Sequence, residues 1–223
     1  MAKKLKKKVK RRLIIFIVLI SLSLIGIGIL SLNSMKPAVG EVKVVSKIPG
    51  YGYNLKDNKS KLYKKYFNEL KKVLTKKKVN EKEYAKVLTK LFVTDFYSLG
   101  DHVAKTDIGG VDFVHEDGVK DFTTNAEDTY YKYVESNIYK NRNQELPIIS
   151  NVKIESVEQT AYTYNDETDE EAYEVKASWE YKSKGVADGY QDEGTFIFIH
   201  DGKKLVLVEA LNGDEKWDEE DSK

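Results

Sequence analysis

The sequence predicts an α+β protein: one N-terminal transmembrane helix, then three helices packed on a curved four-stranded antiparallel sheet. Three observations carry that prediction. Residues 13–32 form an uncharged apolar run, and between residues 62 and 138 apolar side chains recur at the three-and-four spacing of a helix. Beyond Pro147 the period falls to two, the spacing of a strand with one buried face. Helices followed by a block of strands is the order expected when helices gather on one face of an antiparallel sheet.

The apolar run sets the topology. A helix of this length rises about 30 Å, the thickness of a bilayer's hydrocarbon core. Residues 1–12 carry a charge of +8, and only Lys36 follows soon after the run. That asymmetry predicts a cytoplasmic N-terminus (1–12), a transmembrane helix (13–32) and an extracytoplasmic remainder in a single-pass cell-membrane protein. A cleaved signal peptide has an apolar region of only about 7 to 15 residues and a small-residue cleavage site. Here Leu32, Met35 and Lys36 stand where small residues are wanted, so the run reads as an uncleaved anchor. The chain has no cysteine, which removes both a disulfide framework and a lipid-attachment site.

Charge is distributed in blocks. Residues 36–106 carry +10 and residues 107–223 carry −17, although the whole chain is at +1. A basic half and an acidic half can attract each other within the fold or between molecules. Arginine is scarce at three residues (Arg11, Arg12, Arg142), and planar bidentate recognition of phosphate favours guanidinium, so specific nucleic-acid reading is not expected. The wealth of Lys, Asn, Ile and Tyr reads as the AT-rich codons of a bacterium.

Residues 33–54 contain Pro37, Gly40, Pro49, Gly50 and Gly52 and read as a stalk, with 51–55 able to dock as a short strand. The domain proper is expected over 55–211. A first helix follows from Leu62, Tyr66, Phe67, Leu70 and Leu74, with Asp57 or Ser60 as N-cap. Asn80 with Glu83 resembles a capping box and opens a second helix over roughly 81–99, stopped by Gly100. Paired glycines in Asp107-Ile108-Gly109-Gly110 suggest a turn where another backbone comes close. Thr124 with Glu127 makes a further capping box, and Ala126, Tyr130, Tyr133, Val134 and Ile138 form the stripe of a third helix.

Four strands come next. One runs over about 151–164, and in the second Tyr173, Val175, Ala177, Trp179 and Tyr181 face one way. The loop 165–170 between them is acidic. Strands at 195–199 and 205–211 flank Asp201-Gly202, the preferred pair for a type I′ turn. The acidic tail 212–223, apolar only at Trp217, is expected to be disordered.

This order of elements resembles the cone-shaped nuclear transport factor 2 superfamily and its cystatin-like relatives over about residues 55–211. Anchor, stalk and such a domain together are similar to the scaffold proteins of bacterial type IV secretion and conjugation systems. The run Leu91-Phe92-Val93-Thr94-Asp95-Phe96-Tyr97 shortly before Asp107-Ile108-Gly109-Gly110 also resembles uncharacterised single-pass proteins of AT-rich bacteria. These resemblances imply scaffolding, dimerisation or ligand binding, and they supply no motif from which a functional residue carries over.

Acid/base enzymes of the superfamily place a Tyr and an Asp in an apolar cavity, so the resemblance makes Asp95, Tyr97, Asp107, Tyr130 and Trp179 candidates for a pocket. The competing reading is core tyrosines with their hydroxyls at the rim and an Asp95 that faces water. His102, His115 and His200 are dispersed, and the loop 165–171 lacks the order of a calcium loop, so no metal and no cofactor is expected. Lys71, Lys72, Lys76, Lys77 and Lys78 cluster at the end of the first helix, where they complement its dipole and could also meet anionic lipid or wall polymer. The favoured reading is a membrane-anchored adaptor or assembly protein without catalysis, partnered with itself or with other envelope proteins. A module for a small molecule or cell-wall component is the alternative, ahead of an isomerase-like enzyme.

Overall fold

In the computed structural model residues 41–213 are described. The expected N-terminus, transmembrane helix, first part of the stalk and residues 214–223 of the acidic tail lie outside them, while Asn212, expected in the tail, is strand. No helix among the described residues is long and apolar enough to cross a membrane.

The chain enters through two short strands, β1 (Val44–Lys47) and β2 (Asn54–Lys56), paired antiparallel. Gly50 and Gly52, both at positive φ, turn the chain between them. Ile48, Tyr53 and Leu55 are buried in the main core, so the folded unit includes residues that the sequence assigns to the stalk. The hydroxyl of Tyr53 pairs with that of Tyr84 at 2.7 Å, which ties this entry to the helices.

Helix α1 (Lys61–Leu74) starts where Ser60 Oγ accepts the Tyr63 amide at 3.2 Å, and it buries Tyr63, Tyr66, Phe67, Leu70, Val73 and Leu74. Helix α2 (Glu81–Phe96) starts where Asn80 Oδ1 accepts the Glu83 amide at 3.1 Å. It is buried on nearly every side because it lies between α1 and strands β3 and β4 of the sheet described below. It ends three residues before the expected stop. At Ser98 the backbone leaves the helical region and the side chain accepts the Ile149 amide at 3.1 Å, while the Gly100 amide donates to Pro147 O at 3.1 Å. The incoming sheet, rather than a glycine cap, ends α2.

The third helix is displaced from its expected place. Helix α3 spans Val119–Asp128, so Thr124 and Glu127 sit inside it and form no capping box. The stripe expected to continue to Ile138 leaves helix at Thr129. Tyr131, which is off that stripe, is fully buried, whereas Tyr133, on it, is 76% exposed. Tyr131 wins because its hydroxyl donates to Phe96 O at 2.6 Å and accepts from the Gly109 amide at 3.1 Å, satisfying two backbone groups in the core.

Strands β3 (Ile149–Tyr164), β4 (Glu167–Tyr181), β5 (Glu193–Asp201) and β6 (Lys204–Asn212) form an antiparallel sheet in chain order. The long β3/β4 hairpin carries register shifts at Ile149/Asn151, Ile154/Ser156 and Thr160/Tyr162, and such bulges bend a strand. As expected, Tyr173, Val175, Ala177 and Trp179 face the helices. Phe196, Phe198, Leu205 and Leu207 extend that core face. The acidic loop shrinks to Asn165 and Asp166, both at positive φ as a type I′ turn requires, and the residues after it are strand. The turn at the other hairpin is centred on Gly202-Lys203 instead of Asp201-Gly202. Only Gly202 has positive φ there, so the type I′ expectation fails.

Candidate functional site

The last turn of α2 sorts the five pocket candidates into two groups. Asp95 and Tyr97 are two residues apart, hence about 200° apart around a helix, and they face different surroundings. Tyr97 and Tyr130 line a cleft of about 770 Å³. Trp179 backs Tyr97, with ring centroids 4.4 Å apart. Asp95 and Asp107 line a separate cavity of about 40 Å³. The candidate tyrosines Tyr97 and Tyr130 therefore share no pocket with Asp95 or Asp107, and the tyrosine beside those two carboxylates is Tyr63, which the sequence did not single out.

The cleft is built by the end of α2, by α3 and the turns that follow it, by the segment 189–191 and by the end of β6. Its aromatic wall is a contact series. Phe96 stacks on Tyr130 at 5.5 Å, Tyr97 meets Tyr130 edge-on at 5.2 Å and 88°, and Tyr190 meets Tyr130 at 5.8 Å and 75°. The inner hydroxyls are spoken for. Tyr130 and Tyr181 share a hydrogen bond of 3.3 Å, and Gln191 O accepts both Tyr181 Oη and, at 2.9 Å, Trp179 Nε1. Burial, with Tyr181 beside them, pushes the phenols of Tyr97 and Tyr130 well above their ordinary range.

A third of the chain's residues are charged, yet no Asp, Glu, Lys, Arg or His is among the described residues lining the cleft. Its polar groups are amides and hydroxyls. Gln144 and Gln191 are engaged with neighbouring backbone. The Asn125 side chain and the Tyr133 and Tyr190 hydroxyls have no hydrogen-bond partner among the described residues. No sequence pattern singled out Tyr190 or Gln191, because they belong to an irregular segment between β4 and β5.

The smaller cavity belongs to a charged cluster. Lys59 Nζ pairs with Asp95 Oδ1, and Asp95 Oδ2 accepts the Gly110 amide at 2.9 Å. His102 places Nε2 on Asp95 O at 2.7 Å and Nδ1 at 3.5 Å from Asp107 Oδ2. A carbonyl can only accept, so Nε2 carries a proton. Burial alone would lower the His102 pKa, but the Asp107 carboxylate and the Asp95 carbonyl outweigh it and the pKa is raised. Asp107 is lowered: its own burial is outweighed by His102 and by the Val103 amide at 2.9 Å. Thr94 Oγ1, buried on the same wall, has no partner among the described residues. Gly109 packs here as its sequence suggested, since a Cβ on it would lie 2.2 Å from Asp95 O. Lys59, Asp95, His102 and one side of Asp107 are thus committed to holding the end of α2 against the 107–110 turn and the segment before α1, and Asp101 also lines the cavity.

Of the five lysines, Lys71 donates to Ser46 Oγ at 3.1 Å and is half-buried, while Lys72 in the last turn of α1 and Lys76, Lys77 and Lys78 past its end are exposed. One cluster escaped sequence reading. Asp169 Oδ2 accepts both His200 Nδ1 at 2.8 Å and the His200 amide at 2.7 Å, and His200 Nε2 lies 3.5 Å from Glu81, which also accepts from Tyr173 Oη at 3.2 Å. It joins the start of α2 to the sheet. Among the described residues no group of three His, Cys, Asp or Glu side chains could hold a metal ion. No family model, no curated protein and no solved structure matches the chain.

Proposed function

We propose that the protein is a non-catalytic binding module, an adaptor held outside the cytoplasm by a single-pass N-terminal anchor, which takes an uncharged ligand or partner group into the aromatic cleft. The reading carries forward the apolar run of residues 13–32 and the resemblance to cone-shaped domains. One observation supports it above the others: a cleft of about 770 Å³ walled by aromatic rings and free of charged side chains, with the nearby carboxylates Asp95 and Asp107 committed to a separate cluster. A cleft of that size suits a small organic ligand or a partner's side chains. Acid/base catalysis needs a titratable group within reach of the reacting atoms, and burial raises the inner phenols Tyr97 and Tyr130 away from that role.

The test is thermal unfolding of the full chain in membrane vesicles with uncharged and charged candidate ligands. Binding to the native state alone raises the midpoint by mass action. A midpoint raised only by uncharged compounds, and lost with Tyr130→Ala, is the expected result. No shift across uncharged wall fragments, lipids and peptides would remove the reading. Assembly is a second arm of the same proposal: crosslinking in intact membranes is expected to give discrete oligomers or envelope-protein adducts, with Lys72, Lys76, Lys77 and Lys78 free to approach an anionic surface.

A further inference from the structure

We infer that the cleft recognises a neutral saccharide, one whose sugar rings lie flat on tyrosine faces while their hydroxyl or acetamido edges meet amide and phenol groups. The inference rests on the binding-module reading and names its ligand class. A pyranose has an apolar face of C–H groups and a polar rim of hydroxyls. A site that fits it needs a flat apolar surface set at an angle to hydrogen-bonding groups.

Tyr130 and Tyr190 provide that corner. Their rings meet at 75° with centroids 5.8 Å apart, so a body lying on the face of one points its rim at the edge of the other. The Tyr190 hydroxyl and the Asn125 side-chain amide line the cleft with no partner among the described residues, leaving donors and acceptors for a rim. Tyr133 adds a second, widely exposed ring at the mouth. A cavity of about 150 Å³ holds one benzene-sized ring, so about 770 Å³ leaves room for more than one sugar.

The absence of charge discriminates further. A phosphate, carboxylate or ammonium group would shed hydration in the cleft and find no counter-ion. Anionic wall polymers and cationic amino sugars are therefore poor occupants, and uncharged or N-acetylated sugars are good ones. A proline-rich peptide is the rival that aromatic walls also admit. It presents only carbonyl acceptors along its proline backbone, which serves the Asn125 NH₂ and Tyr190 O–H but leaves Asn125 Oδ1 without a donor.

The experiment is calorimetric titration of the full chain in detergent micelles with chitotriose, cellotriose and maltotriose. The fully deacetylated, cationic glucosamine trimer and decaproline complete the set. We expect saturable binding of at least one neutral trisaccharide and binding at least about tenfold weaker for the cationic trimer. Tyr190→Phe removes one hydroxyl and should weaken the sugar about three- to tenfold, as the loss of one hydrogen bond does. Tyr133→Ala should weaken it without moving the thermal midpoint. Cationic trimer binding as tightly as its neutral counterpart would overturn the inference. So would decaproline binding in a Tyr133-dependent way while no sugar binds, although the binding-module reading would then survive. No binding by any of the three neutral sugars would likewise overturn the inference, and the binding-module reading would then stand or fall on the thermal-shift test.

Discussion

Two surfaces meet at the end of α2 and differ in almost every physical respect. On the Asp95 side, charged groups are crowded and paired: Lys59, Asp95, His102 and Asp107 each hold a named partner around a cavity of about 40 Å³. On the Tyr97 side, the described lining is uncharged, the volume is about 770 Å³, and several polar groups at the mouth hold no partner. The contrast separates the group that keeps the fold from the group that faces outward. At this end of α2 ionic side chains do structural work in partly buried pairs, and aromatic side chains wall the open cleft.

If that division is right, substitutions in the cluster change stability and those in the cleft change binding. The largest loss is expected from Asp95→Ala, which leaves the mostly buried Lys59 ammonium and the Gly110 amide without their acceptor. Breaking one side of such a pair costs about 3 kcal/mol, read as a lower urea midpoint of the full chain. An unchanged midpoint would show that the pair is ornamental. Gly109→Ala should follow at about 2–3 kcal/mol, an overpacking cost, because its Cβ would meet Asp95 O at 2.2 Å.

Tyr131→Phe comes next. It strips the hydroxyl from Phe96 O and from the Gly109 amide, and should cost about 1–3 kcal/mol with no change in secondary structure by circular dichroism. The pH dependence is subtler and has a definite sign. His102 has a raised pKa in the folded state, so its contribution is complete below its unfolded value near 6.5 and is lost as the pH rises through the folded value. Asp107, lowered in the folded state, contributes above its ordinary value of 3.8 and loses that contribution as the pH falls through the folded value. Unfolding curves of His102→Gln should lack the alkaline limb of this profile, and a limb that persists would assign it to another group. The smallest effect belongs to the cleft: Tyr133→Ala should move stability by no more than about 0.5 kcal/mol, as exposed substitutions do.

The first two helix starts were legible because capping is local: Ser60 and Asn80 need only the amide three residues on. Strand faces were legible too, since Tyr173, Val175, Ala177 and Trp179 alternate with polar residues regardless of what they pack against. The close approach at Gly109 could be read from paired glycines, but Asp95 and Tyr97 were grouped in one pocket although two residues apart on a helix lie about 200° from each other. Helix α3 was misplaced because the stripe from Ala126 to Ile138 mimics helical periodicity, while the decisive bonds of Tyr131 reach residues 22 and 35 positions away. Tyr190 and Gln191 carried no local signal, as their contacts with Tyr130 and Trp179 come from distant parts of the chain.

Periodicity and caps were enough to specify an α+β chain, the order of its elements and the buried face of its second long strand, because those properties depend on neighbours within a few residues. Which side chains surround a common space is a different kind of property. The cleft exists because the end of α2, the turns after α3, the 189–191 segment and the end of β6 converge. The ionic cluster exists because Lys59, Asp95 and Asp107 are brought together across the fold. Contacts of that range follow from how the core packs, and pattern along the chain does not encode them locally.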